Sequence, residues 1–143
     1  MAQTYGSYAF KTGSTPSETL DAGFVVLSQQ ITLQATGTGA ALNVDGLRVL
    51  PPGSQILNIV PDTTVAHTSG TAALTVGSAT GGAQYVASTD IKAKGRVAIT
   101  PSALVDAWQD VGTNVILYFR LALASTSTAV GTTMVTVTYI QKR

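Results

Sequence analysis

The sequence contains no cysteine, one histidine and few charged residues. Because cysteine is absent, disulfide bonds and thiolate metal sites are excluded, and stability has to come from packing or from association. Charged residues make up 10% of the chain, whereas about 25% is usual in soluble domains. The formal net charge is +1 and the eight Lys and Arg residues are scattered, which disfavours a general nucleic-acid-binding protein.

Long apolar runs are also missing. No run approaches the ~18 residues that a membrane-spanning helix requires. The first residues, MAQTYGSYAFKTGS, lack the continuous apolar core of a secretion signal. We therefore expect a soluble protein that is made inside a cell and has no membrane partner.

Catalytic signatures are absent as well. A metal site or an acid–base pair needs converging partners, and His67 has one nearby carboxylate in the sequence, Asp62. No G-x-S-x-G motif accompanies a serine, and the glycine-rich stretches lack the lysine of a phosphate-binding loop. The stretch NVDG lacks the remaining ligands of a calcium loop, so that we interpret Asp45-Gly46 as a turn. We expect no enzyme, no metal site and no cofactor.

Small and β-branched residues are abundant, and they alternate with polar residues in short segments, which is typical of half-buried strands. The prolines at Pro51, Pro52 and Pro61 are interpreted as stops. Leucines and a tryptophan after Pro101 predict one short helix at 101–108. The strands predicted from this pattern are residues 23–35, 42–50 (interrupted at Asp45-Gly46), 55–60, 72–77, 84–87, 95–100, 114–124 and 132–141.

The alternation also predicts which side chains face the core. From seven to nine short strands with at most one helix we predict an all-β fold, an antiparallel β-sandwich or a jelly-roll-like barrel. The predicted inward-facing residues are Val25, Leu27, Ile31 and Leu33 in the first strand, Val115, Leu117, Phe119, Leu121 and Leu123 near residue 120, and Val135, Val137 and Tyr139 in the last.

Residues 1–22 are predicted to form an extended N-terminal arm, and residues 23–143 a single β domain. The arm carries Tyr5, Tyr8 and Phe10 among Gly, Ser and Thr. Terminal segments commonly fray, whereas aromatic residues are typical of segments that dock on a partner. Both interpretations stay open at this point, and under the second one the three aromatic residues anchor the arm on a neighbouring subunit.

Basic residues cluster in KAKGR, where Lys92, Lys94 and Arg96 would point the same way in an extended segment. One interpretation is an edge strand that is protected by charge, and the other is contact with an acidic patch on a partner protein. Arg120 shares a strand face with Ile116 and Tyr118, which indicates an interface or an ion pair. All four basic residues are therefore candidate interface residues.

Three stretches together resemble a known family: LPPGSQILNIVPD, LTVGSATGGAQYVASTDIKAKGRV and VTVTYIQ. They are similar to the small β-rich structural proteins of tailed bacteriophages that are assigned as head decoration or cement proteins. The resemblance covers about residues 47 to 141 and leaves out the arm. Its motifs are turn and strand patterns without a catalytic residue.

The resemblance implies a non-enzymatic virion protein, made in the host cytoplasm, that binds the outer surface of the capsid and stabilises it. The implied partners are the major capsid protein and further copies of the chain, often as a homotrimer, without direct contact to nucleic acid. Another virion component, such as a head-tail connector, tail or fibre protein, is the alternative. A carbohydrate-binding sandwich is a third possibility, for which Trp108 and Tyr85 are the only indications.

Overall fold

The computed structural model describes residues 25–99, 108–113, 115–124 and 128–141. The predicted arm, with Tyr5, Tyr8 and Phe10, lies outside the described residues, as does the predicted helix apart from Trp108. Within the described residues there are eight strands: β1 (Val25–Thr38), β2 (Leu42–Val49), β3 (Gln55–Val65), β4 (Thr71–Gly77), β5 (Val86–Asp90), β6 (Gly95–Arg96), β7 (Ile116–Ala124) and β8 (Thr128–Gln141).

The strands form two four-stranded antiparallel sheets. The first has the order β1-β8-β3-β6 and the second has the order β2-β7-β4-β5. Four of the pairings, β1 with β8, β2 with β7, β3 with β6 and β4 with β5, are those of one long hairpin. Two further pairings, β3 with β8 and β4 with β7, close the rolled hairpin into two sheets. This is the jelly-roll topology, and it confirms the predicted all-β class.

The core lies between the inner faces of the two sheets, as the alternation predicted. In β7 the inward residues are Leu117, Phe119, Leu121 and Leu123, and in β8 they are Val135, Val137 and Tyr139, all of them buried. Sheet 1 also contributes Ile31 and Leu33 of β1 and Ile59 of β3. Burial of such side chains, about 1.5–3 kcal/mol each, is what holds the sheets together.

The predicted turn at Asp45-Gly46 is wrong, because β2 runs through both residues and pairs with β7 along its whole length. Gly46 is needed here for a different reason. A β-carbon on Gly46 would collide with Ile31 Cδ1 and lie 3.2 Å from Leu33 Cδ2. The glycine therefore lets β2 approach the core face of β1 closely.

The predicted stop at Pro61 is also wrong, because Pro61 lies within β3 and is paired with Val135. The carbonyl of Pro61 accepts a hydrogen bond from the amide of Val97, 3.1 Å away on the side of β6. In a strand the N and C=O of one residue point to the same side, so the missing N–H of Pro61 also faces away from β8. No hydrogen bond of the central pairing is lost, and proline is tolerated.

The start of β1 departs from the prediction in its burial. Val25 and Leu27 were predicted to face the core, and they do lie on the same side of β1 as Ile31. They are nevertheless 40% and 36% exposed. No described residue of sheet 2 covers them fully, since the last residue of β2, Val49, lies beside Gln29, whose Nε2 donates a 2.9 Å hydrogen bond to the Val49 carbonyl.

Candidate interaction surface

The outer face of sheet 1 is polar at its centre and carries an exposed valine towards each end, Val26 and Val130. Ser28 Oγ lies 3.2 Å from Thr138 Oγ1, and Gln30 Nε2 donates to Thr136 Oγ1 at 3.3 Å, so that the polar side chains of β1 and β8 bond across the strands. A sheet face in contact with water typically has this pattern. At its edge, Arg96 of β6 forms an ion pair with Asp62 of β3, with 3.3 Å between the nearest atoms.

The outer face of sheet 2 carries exposed apolar residues that are neighbours on adjacent strands. Leu47 and Val49 of β2 are 49% and 53% exposed. The register places Leu47 opposite Tyr118 and Val49 opposite Ile116, both half-buried, on the same face. We call these four residues the apolar patch. Contiguous apolar groups on an exposed sheet face are typical of an interaction surface.

Other exposed apolar residues lie at the same end of the sandwich as the patch. Val25, Val26 and Leu27 form the start of β1. Leu57 follows Ile56 in β3. Ile56 and Leu27 are both paired with Tyr139 of β8, one from each side. We call this region, Val25–Leu27 together with Leu47, Val49 and Leu57, the apolar end. Among the described residues, the two remaining large exposed hydrophobics are Val65 and Val130, at the opposite end of sheet 1.

Arg120 forms an ion pair with Asp45 beside the apolar patch. Its Nε donates to Asp45 Oδ1 at 2.7 Å and its Nη2 to Asp45 Oδ2 at 2.9 Å. These bonds lower the pKa of Asp45 and raise the pKa of Arg120. The bidentate geometry satisfies both charges within the chain. The sequence indicated an interface or an ion pair for Arg120. The ion pair is confirmed, and a role at an interface stays a prediction.

The KAKGR segment is extended only at Gly95–Arg96, which is the short edge strand β6. Lys92 precedes β6. Its backbone amide donates to Asp90 Oδ1 at 2.9 Å, and its Nζ donates to the Gly70 carbonyl at 3.2 Å. Lys94 is exposed. Lys92, Lys94 and Arg96 were predicted to point the same way if the segment were extended. The segment is not extended at Lys92 and Lys94, so this condition is not met.

His67 lies in the loop between β3 and β4, where it is 3% exposed. Thr63 Oγ1 donates its proton to the Ile91 carbonyl at 2.9 Å and therefore accepts from Thr133 Oγ1, also at 2.9 Å. Thr133 Oγ1 in turn accepts from His67 Nε2 at 2.8 Å. This chain assigns the proton to Nε2 and leaves Nδ1 buried without a partner beside Gly131.

Burial lowers the pKa of His67, so the ring is neutral at pH 7. Its described partners are uncharged, and Asp62, the carboxylate near it in the sequence, pairs with Arg96 instead. No group of three or more metal-ligating side chains occurs in the described residues. His67 is thus buried and hydrogen-bonded to an uncharged partner in this arrangement.

The two aromatic residues that indicated a sugar-binding site are buried. Trp108 is 6% exposed and Tyr85 is 4% exposed. Trp108 Nε1 donates to the Tyr85 carbonyl at 2.6 Å, and burial raises the pKa of the Tyr85 hydroxyl. Neither ring presents a face on which a sugar could stack.

Several shallow depressions lie on the described surface. One, of about 300 Å³, is lined by Gly70, Thr71, Ala72, Ala73, Ser88, Asp90 and Lys92. Two others lie on the outer faces of the sheets. The first, of about 200 Å³ on sheet 1, is lined by Gln30, Val60, Asp62, Arg96, Met134 and Thr136. The second, of about 160 Å³ beside the apolar patch, is lined by Ser78, Thr113, Val115, Ile116 and Tyr118. In the described part of the chain, no helix is of a length and hydropathy that would cross a bilayer.

Comparison with known proteins gives one informative likeness. No protein-family model and no curated protein matches the chain. The fold is similar to that of a chain in the capsid asymmetric unit of cyanophage Pam1, with a TM-score of 0.61 and 22% sequence identity. The match covers 89% of this chain and 91% of that chain. The two chains therefore share a fold over nearly their whole lengths.

The sequence predicted part of this surface and not the rest. It placed Ile116, Tyr118 and Arg120 on one strand face, as the structure does. It missed Leu47 and Val49, because a turn at Asp45-Gly46 would have ended the alternation. The signal was present in β2, where inward-facing Leu42, Val44 and Gly46 alternate with outward-facing residues.

Proposed function

We propose that the chain is a structural protein of a phage particle and, within the particle, a decoration or cement protein on the outer surface of the head. The observation that carries the proposal is the likeness to a chain of the Pam1 capsid unit, which extends over 89% of this chain. Fold alone does not determine function. The three stretches that resemble phage decoration proteins, which span both sheets, support the same conclusion.

The surface of the domain is suited to such a role. Thr, Ser and Gln lie at the centre of the outer face of sheet 1, and apolar residues lie on that of sheet 2. Two ion pairs, Arg96–Asp62 and Arg120–Asp45, are formed within the chain. Surfaces of this kind are suited to contacts that exclude water. On a shell, weak contacts that are repeated by symmetry add up to firm attachment. The proposed partners are the major capsid protein and further copies of the chain, as a homotrimer.

The proposal is tested with heads that lack this protein. Purified chain is added to them, and we expect saturable binding, density on the outer surface in cryo-electron microscopy, and a higher temperature of DNA release than in untreated heads. Light scattering of the free protein gives its mass and tests the trimer. Failure to bind heads, or density confined to a connector, tail or fibre, would overturn the decoration role, and the second result would identify the alternative virion component.

A further inference from the structure

Burial of the exposed side chains of the apolar end by another segment would be favourable. Leu47 and Val49 of the apolar patch are 49% and 53% exposed, and apolar surface that stays in water costs about 25 cal/mol per Å² relative to buried surface. The six residues of the apolar end belong to three different strands, so the exposure is not an accident of one loop. An occupant of matching chemistry is therefore expected.

The N-terminal segment of the chain matches this surface in composition. Residues 1–10, MAQTYGSYAF, contain no charged side chain and three aromatic ones. The apolar patch is uncharged like this segment, and Arg120 beside the patch is already paired with Asp45. The depression next to Ile116 and Tyr118 is lined by uncharged residues. Aromatic anchors that fill such depressions dominate the energetics of many interfaces.

The segment also joins the domain at the right place. It continues into β1 at Val25, which is itself part of the apolar end. Residues 11–24 separate Phe10 from Val25, and fourteen residues span up to about 50 Å when extended. This length exceeds what is needed to cross from one domain to an adjacent one.

We infer that residues 1–10 of one copy dock, through Tyr5, Tyr8 and Phe10, on the apolar patch of a neighbouring copy. The inference rests on the proposed function, because a shell holds copies side by side and requires contacts between them. Each copy then gives an arm and receives one, which is a head-to-tail contact that closes into a ring under rotational symmetry. The proposed homotrimer is one such ring.

Engineered cysteines test the contact directly, because the chain has none of its own. A Tyr8→Cys copy is mixed with a Val49→Cys copy, and the mixture is oxidised and run on a non-reducing gel. We expect a disulfide-linked heterodimer. The matched control replaces Val49→Cys with Val65→Cys, since Val65 is equally exposed, at 50%, but lies at the opposite end of sheet 1. Fluorescence of the buried Trp108 verifies that each variant is folded.

A heterodimer no more abundant than with Val65→Cys would overturn the inference. A cross-link that forms only within one chain, in the double variant Tyr8→Cys/Val49→Cys, would also overturn it. As a second measurement, Val49→Asp should weaken association between copies about tenfold, the loss of one good contact of 1.4 kcal/mol, whereas Val65→Asp should leave it unchanged.

The two proposals fail in different ways. If the parent protein binds heads while the cross-link and the effect of Val49→Asp are both missing, the arm contact is refuted and the virion role stands. If the parent protein does not bind heads, the virion role is refuted. The cross-link between concentrated free copies still decides whether the arm docks on the patch.

Discussion

The hydrogen-bond chain from His67 to Ile91 predicts that acid destabilises the protein through one residue. Protonation of His67 would place an N–H at Nδ1, which is buried without an acceptor beside Gly131. Burial lowers the pKa of His67 in the folded state, so that the unfolded chain binds the proton more tightly. Stability is therefore complete above the unfolded pKa of about 6.5 and is lost as the pH falls below it.

The size of the effect follows from linkage. A single proton that only the unfolded state binds removes at most about 1.4 kcal/mol between pH 7.5 and pH 5.5. We expect a loss within this limit, which for a domain of this size corresponds to a fall in Tm of at most about 6 °C. The chain has one histidine and no cysteine, so no other side chain has its ordinary pKa in this window.

Thermal unfolding is followed by the fluorescence of the buried Trp108 at pH 7.5, 6.5 and 5.5. The control is His67→Gln, which keeps a side-chain donor for Thr133 Oγ1 but cannot be protonated in this range. The parent should lose stability on acidification and the variant should not. Parallel curves for the two proteins, or a parent that gains stability at pH 5.5, would show that the assigned proton position is wrong.

Three further predictions concern packing and charge. Gly46→Ala should destabilise the domain by about 1–3 kcal/mol in urea unfolding, because the new methyl group collides with Ile31. Gly39→Ala is the control and should be close to neutral, because its methyl group lies 3.7 Å from the nearest atom. Trp108→Phe removes the donor to the buried Tyr85 carbonyl and should cost about 1–3 kcal/mol, which circular dichroism melting measures; a neutral result would contradict the hydrogen bond. Asp45→Asn should lower stability at pH 7 and low salt, and the difference from the parent should vanish at high salt and as the pH falls through the lowered pKa of Asp45; a difference that is independent of pH and salt would exclude a contribution from the charge of the Arg120 pair.

The sequence predicted the fold class and the core well, because both depend on alternation. In β7, and in β8 from Val135 to Tyr139, every second residue is apolar, and this period alone determines which face is buried. The sheet order was not predictable in the same way. Whether β8 lies beside β1 or beside β7 depends on contacts between residues far apart in the chain, which no local pattern encodes.

The errors occurred where a residue has two structural uses. Asp45-Gly46 is a common turn dipeptide, yet here the glycine makes room for Ile31 and the aspartate pairs with Arg120, both across strands. A proline usually ends a strand, yet here the nitrogen of Pro61 faces away from β8. The exposure of Val25 and Leu27 was missed for a related reason, since alternation indicates the side of a strand but not how far the opposite sheet extends.

The placement of β8 between β1 and β3 has a consequence for biosynthesis. Residues 25 and 141 are register partners, so sheet 1 cannot be completed until residue 141 has emerged from the ribosome. Until then β1 and β3 lack the strand that joins them, and their apolar sides stay accessible to other nascent chains. Such non-local topologies fold slowly and are prone to aggregate on the way. Production of this protein should therefore benefit from low temperature and from chaperones that shield β1 until synthesis is finished.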